Sequence, residues 1–289
     1  IDDNGKGLST TGLGHGDAQH TGDLDPYRWG LEHFACNEDR PAMNYRNATT
    51  SKIYYRLVGT GDDGRALCGN FTNSYPGCVG KSASSGVIST VADKVLPGVP
   101  GFDLNFRIYW DGDLCEEILN SPGTEKEAKI DKMVGNSVNR IFTSSGCKMN
   151  NWSKNNPGAT GDIIGDWREE MVLRTSDNAK LRIYTTSTPT PHRIYTLWHD
   201  HQYRQAMVWQ SMGYNQPPHL SYFLGELEGI TVAPPPLTMT GRTEVSNNGT
   251  VGTDLNDKHV VVCETNDMTV SIAEGASPHV LTFNVPSWV

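Results

Sequence analysis

One lysine, one tyrosine and a string of carboxylates make up most of the chemistry available to this chain. Between residues 147 and 224 lie Asn150 and Asn151 ahead of Lys154, the acid-rich run GDIIGDWREE, the triplet His199-Asp200-His201, and Tyr214 followed by Asn215-Gln216-Pro217-Pro218-His219. A lysine and a tyrosine brought together can take and give a proton, and clustered carboxylates hold hard cations through oxygen. There is no Gly-x-Ser-x-Gly elbow, phosphate-binding loop or dinucleotide fingerprint. His199 and His201 would share one face of an extended strand, but two histidines with no cysteine partner nearby make a poor zinc site. Zinc is expected to be absent there, with Asp200 holding a loop or a calcium-bound water.

The acidic residues form two groups. In HGDAQHTGDLDPYRWGLEHF, Asp17, Asp23, Asp25 and Glu32 lie close together, flanked by His15 and His20. Their spacing is not that of an EF-hand, and two readings stand: one loop that holds Ca²⁺, or a solvated Asp-Pro and Gly turn. In GDIIGDWREE, Asp162 and Asp166 bracket a glycine turn ahead of Glu169 and Glu170. This group reads as a second cation site, or as a turn in which Arg168 pairs a carboxylate.

The elements that must position these groups are strands. Helical periodicity is scarce, while a Gly-acid unit recurs ahead of short strands. It appears as Gly22-Asp23-Leu24-Asp25, as the uncharged copy Gly69-Asn70-Phe71-Thr72, as Gly112-Asp113 with Glu116-Glu117, and as Gly165-Asp166 with Glu169-Glu170. A repeat of about 40 to 50 residues with several strands each is the pattern of propeller blades. Asp23, Asp113 and Asp166 are therefore expected at equivalent positions on a common blade frame. Three prolines at 234–236 mark a boundary, giving a β-propeller segment over 1–229 and, over 230–289, a Pro-rich linker and a partial accessory β module. In that module KHVVVCET, MTVSIAEG and HVLTFNV alternate like strands.

Composition narrows the class further. The net charge of −9 argues against a general nucleic-acid binder, which needs clustered Lys and Arg. No apolar run approaches the length of a membrane span. The six cysteines, at 36, 68, 78, 115, 147 and 263, show no zinc spacing; Cys68 and Cys78 either bridge across a turn or stay free and buried. The Asn-x-Ser/Thr sites at Asn47, Asn70, Asn151 and Asn248 are frequent by chance. The chain starts without methionine and stops inside an apolar run, so it is expected to be a piece of a longer protein.

Four stretches, GDWREE, LRIYTT, HRIYTLWHD and YNQPPH, resemble the rhamnogalacturonan lyases built on an eight-bladed β-propeller, and the resemblance runs from about Gly14 to Gly225. It implies an all-β chain carrying about four of the eight blades, the C-terminal half, with the N-terminal half as missing partner. It implies several Ca²⁺ ions, with Asp17, His20, Asp23, Asp25, Glu32, Asp162, Asp166, Glu169, Glu170 and Asp200 as candidate ligands. It also implies β-elimination at galacturonate in the rhamnogalacturonan backbone, by an enzyme that is secreted, periplasmic or on the cell surface. The family's Asn-Asn-Gly-Thr-Lys and Tyr-Asn-Gln-Pro-Pro-His loops line its cleft, which makes Asn150, Asn151, Trp152, Ser153, Asn215 and His219 substrate-binding candidates. Lys154 and Tyr214 become base and acid in either order, and either Ca²⁺ or Arg65 the partner of the uronate carboxylate.

The chain departs from that pattern where Trp152 and Ser153 replace Gly and Thr, where Ala66 follows Arg65, and where Asn70, Thr72 and Val79 stand in the uncharged blade. Two rivals remain: a sugar-binding propeller without catalysis, and a calcium-stabilised structural or adhesive repeat.

Overall fold

The computed structural model describes residues 4–232 apart from 8, 41, 86–87, 92–94, 213 and 228–229, and beyond them only the backbone of five short strands. The chain divides into two compact units, Ile1–Pro234 and Pro235–Val289. The triple proline, Cys263 and Asn248 lie outside the described residues.

Within the first unit four antiparallel sheets follow one another along the chain. The first runs β1 Gln19–Gly22, β2 Glu32–Asn37, β3 Ala42–Asn47, β4 Ile53–Val58. The second holds β5 Ala66–Gly69, β6 Val79–Ser82 and β7 Ile88–Ser89. The third holds β8 Phe106–Ile108, β9 Glu117–Asn120, β10 Lys129–Val134 and β11 Ser137–Thr143. In the fourth, β14 Glu170–Thr175 pairs with β12 Cys147–Lys148, β13 Ala159–Gly161 and β15 Leu181–Tyr184.

Alternation along the strands explains why the sheets stack. Side chains one apart face opposite sides, so Ala66 and Cys68 join the core with Phe34, Met43 and Tyr45 of the first sheet. Leu67 faces the other way, into a core shared with Ile118 of the third sheet, while Leu119 packs with Met171 and Leu173 of the fourth. A last core, with Trp167, Leu197, Tyr203 and Leu220, lies under the segment after the fourth sheet. That segment contains the one described α-helix, α1 His201–Trp209, and no described helix is long and apolar enough to cross a membrane.

The strand registers correct the expected repeat frame. The first strand of each of the first three sheets, and its counterpart β13 in the fourth, end at Gly22, Gly69, Ile108 and Gly161, opposite Glu32, Val79, Glu117 and Glu170. Asp23 is therefore equivalent to Asn70, Tyr109 and Asp162; Asp113 and Asp166 share a position, but further along the loop. The Gly-acid motif matched by composition and slipped in register, because a loop glycine in two sheets mimics the strand-end glycine of the others. At Gly22 a side chain would strike His219 Cβ at 2.8 Å and the Leu220 carbonyl oxygen at 2.9 Å, so close packing, not turn geometry, sets that glycine.

After α1 the first unit closes with the hairpin of β16 Gly225–Leu227 and β17 Ile230–Val232. In the second unit β18 Arg242–Val245, β20 Lys258–Val262 and β22 Leu281–Asn284 pair in parallel, as do β19 Thr250–Val251 and β21 Ser271–Ile272. A strand forms inside each of the three alternating runs of the sequence.

Candidate active site and carboxylate sets

Each sheet has two ends, and the chemistry divides between them. Asp17 precedes β1, Arg65 precedes β5, Asn105 precedes β8 and Lys154 precedes β13, so these four residues gather where first strands begin. Glu32, Glu117 and Glu170 stand opposite where first strands end.

Lys154 is held by a closed loop. Asn150 and Asn156 exchange backbone hydrogen bonds of 2.7 and 2.9 Å, and between them Trp152–Lys154 forms one 3-10 turn. Three residues of this loop are left-handed: Asn151 at φ 61°, Trp152 at 50° and Asn155 at 47°. Asparagine tolerates that region, but a bulky side chain there carries strain of about 1–2 kcal/mol. Glu125 accepts from Trp152 N at 2.9 Å, and Asn151 Nδ2 donates to Asn156 Oδ1 at 2.8 Å.

Tyr214 joins this loop from the far side of the sequence. The Lys154 ammonium lies 4.6 Å from the centre of its ring, and the Arg65 guanidinium 5.6 Å from the same ring. Arg65 Nη2 also donates to Ser153 Oγ at 3.2 Å. The hydrogen bond to Asp17 raises the Tyr214 phenol above its ordinary value of 10, which keeps it protonated. The result is two cations and a proton donor around one ring, next to a cavity of about 580 Å³ lined by Arg65, Ser153, Asn105, Lys81 and Phe102. Such a volume suits a small-molecule or oligosaccharide site. Trp152 is 67% exposed and offers a stacking surface beside it.

Two residues expected to touch substrate do other work. Asn215 is buried and its Nδ2 donates to the Lys154 carbonyl at 2.6 Å, so it braces the lysine loop. His219 is buried against His20, with His219 Nε2 and His20 Nδ1 2.8 Å apart, and His20 Nε2 lies 3.3 Å from Ala66 O. Both nitrogens of His20 are thereby used, which corrects its reading as a metal ligand.

The acidic residues of 15–32 do not form one site either. Asp17 and Glu32 flank opposite ends of β1, about 15 Å apart at strand rise. Asp17 instead groups with His15 and with Glu38, which the sequence reading missed: the His15 imidazole lies 3.1 Å from Asp17 Oδ1 and 2.9 Å from Glu38 Oε2. Carboxylates raise the His15 pKa, Glu38 through its hydrogen bond foremost.

At the other end, a single device recurs in three sheets. Glu32 Oε2 accepts from the amides of Leu24 and Asp25, Glu117 Oε2 from Trp110 and Asp111, and Glu170 Oε2 from Ile163 and Ile164. Glu32 Oε1 and Glu170 Oε1 are buried with no hydrogen-bond partner, as are Asp23 Oδ1 and Asp162 Oδ1. Burial pushes the Glu32 carboxyl up to about 7 and that of Asp23 up to about 6. It also raises Glu170, against the hydrogen bonds from the Ile164 and Ile163 amides. An orphaned buried carboxylate oxygen is costly unless paired, and paired oxygens of this kind suit a hard cation.

The remaining acids are occupied. Glu169 pairs with the fully buried Arg107 at 3.0 Å and accepts from the Tyr203 hydroxyl at 2.7 Å. Asp166 pairs with Arg168 at 2.7 Å and Asp25 with Arg28 at 2.9 Å. Asp200 caps α1 through Gln202 N at 3.2 Å and accepts twice from Ser221. His199 Nδ1 lies 2.6 Å from Thr196 O in a 3-10 turn, not on a strand. The described cysteines 36, 68, 78, 115 and 147 are free and buried, with no bridge between Cys68 and Cys78.

Residues 1–236 match the model of rhamnogalacturonan lyase family 11, C-terminal domain. The chain belongs to this family. A relative, the rhamnogalacturonan endolyase YesW of Bacillus subtilis (strain 168), is 46% identical over 239 residues, which cover 82% of this chain and 37% of that protein. The exolyase YesX of the same organism is 41% identical over 240 residues, covering 78% and 39%. The chain thus spans well under half the length of the curated relatives it matches. Its fold superposes on the crystal structure of YesX with a TM-score of 0.75 at 39% identity, covering 81% of this chain and 41% of that one. For the rhamnogalacturonan lyase of Bacillus licheniformis the TM-score is 0.71 at 41% identity, covering 80% and 39%.

Proposed function

We propose that the chain supplies one side of the cleft of a polysaccharide lyase that cuts the rhamnogalacturonan backbone by β-elimination at galacturonate. The observation that carries this reading is the convergence of Lys154 and Arg65 on the Tyr214 ring. Arg65 binds the uronate carboxylate through its forked donors and so makes C5–H more acidic. Lys154, in its neutral form, takes the C5 proton. The electron pair forms the C4–C5 double bond as the C4–O bond breaks, and the protonated Tyr214 gives its proton to the departing oxygen. Trp152 stacks on a sugar face beside them.

Four sheets stacked in chain order support their reading as blades of a propeller, with four more blades in an eight-bladed whole. Calcium fits the carboxylates at both sheet ends: Asp17 and Glu38 by the cleft, Asp23 with Glu32 and Asp162 with Glu170 at the far end. A bound Ca²⁺ supplies positive charge that favours ionised carboxylates. An enzyme acting on a plant polymer works where the polymer is, which suits secretion, the periplasm or the cell surface.

The complete protein mixed with rhamnogalacturonan should raise near-ultraviolet absorbance as the unsaturated uronate forms. Binding without any absorbance rise would replace this reading with a non-catalytic sugar-binding one.

A further inference from the structure

The three sheets that share the glutamate device differ at one atom. Glu32 Oε1 and Glu170 Oε1 have no hydrogen-bond partner, whereas Glu117 Oε1 lies 3.0 Å from Lys132 Nζ. The same ammonium reaches Asp113 Oδ2 at 2.7 Å and pairs with Asp111. Asp111, Asp113 and Glu117 offer one oxygen each within 4.8 Å of one another, and Lys132 stands among them.

The register shows where this ammonium comes from. On the third strand of the first sheet the residue opposite Glu32 is Asn47, whose side chain is used by Thr49 and Thr50 of its own turn and by Tyr54 of β4. In the fourth sheet Met171 faces Tyr184, so Glu170 faces Thr185. In the third sheet Asp131 faces Ile118, so Glu117 faces Lys132. One position thus holds a neutral side chain in two sheets and a cation in the third. Arg28 and Arg168 pair with Asp25 and Asp166, yet neither satisfies the Oε1 of its glutamate.

We infer that Lys132 is the built-in counter-cation of the third sheet, filling the position that a bound divalent cation takes in the first and fourth. The third sheet then needs no metal, and loss of the ammonium opens a cation site made by Asp111, Asp113 and Glu117. This rests on the calcium reading proposed above.

Hydrogen exchange of the complete protein, read by mass spectrometry with calcium and with a chelator, tests it. In the unaltered protein the chelator should speed exchange about tenfold in β1–β2 and β13–β14 and leave β8–β10 unchanged. In Lys132→Thr, which copies the fourth sheet, β8–β10 should become as sensitive, and metal analysis should find one more calcium per chain. Equal loosening of all three sheets in the unaltered protein overturns the inference while the calcium reading stands. If no sheet responds in the unaltered protein, the calcium reading fails and the inference that rests on it is overturned with it. A variant that stays unfolded in excess calcium also overturns it, because an ion should replace the ammonium.

Discussion

The Lys154 ammonium stands 4.6 Å above the ring of Tyr214, although sixty residues separate them in sequence. Deleting either functional group should therefore disturb one small region and one reaction. Lys154→Ala and Tyr214→Phe in the complete protein are each expected to lower kcat by about 10²- to 10⁴-fold, the usual worth of a positioned acid or base. The melting temperature should hold, since Asn215 braces the loop through the Lys154 carbonyl, which both variants keep. Near-normal turnover in Lys154→Ala would move the base elsewhere.

Trp152 occupies a backbone conformation that glycine adopts freely. Trp152→Gly should relieve about 1–2 kcal/mol of strain, partly offset by the greater entropy of the unfolded chain. We expect an equal or higher midpoint in denaturant and a raised KM, because the stacking surface is lost. A lower midpoint with unchanged KM would show that the indole packs and does not bind sugar.

His20 and His219 are buried in their neutral forms. Burial, with Arg107 adding to it, lowers the His20 pKa from 6.5 to about 3 and pulls His219 down as well. The unfolded chain therefore binds these protons first as the medium becomes acidic. Stability from the pair is complete above pH 6.5 and is lost as pH falls through 6.5 towards 3. Thermal melts should show a drop between about pH 7 and 5, flattened in a His20→Leu/His219→Leu double variant. An unaltered slope in that variant would assign the acid sensitivity to other groups, His33 first, since burial lowers it also to about 3.

Arg107 is wholly buried between Glu116 and Glu169. Arg107→Met leaves two carboxylates without their cation, and should cost about 3–5 kcal/mol in denaturant unfolding. Replacing all three residues by apolar ones of similar volume should recover most of that loss. A single variant as stable as the parent would mean the triad is solvated in solution.

The strands and the gathering of Lys154, Tyr214 and Arg65 were legible in the sequence, through alternation and through motif resemblance. What a residue type does at a given depth was not. Asn215 and His219 carry the polar atoms of binding residues, and only burial shows that they brace the fold. Asp17 and Glu32 look like one cluster until β1 is seen to run between them, and Glu38 joins Asp17 only through the pairing of β1 with β2. Helix α1 did have a signal, since Asp200 before HQYRQAMVW is a favoured cap; the histidines on either side drew the reading towards metal chemistry.

The recurring glutamate separates two duties between its oxygens. Oε2 fixes the backbone of its own loop, while Oε1 meets whatever the neighbouring strand sets opposite it, an ammonium in the third sheet and no hydrogen-bond partner in the first and fourth. A single codon at one strand position therefore decides whether that buried oxygen is neutralised from within the fold.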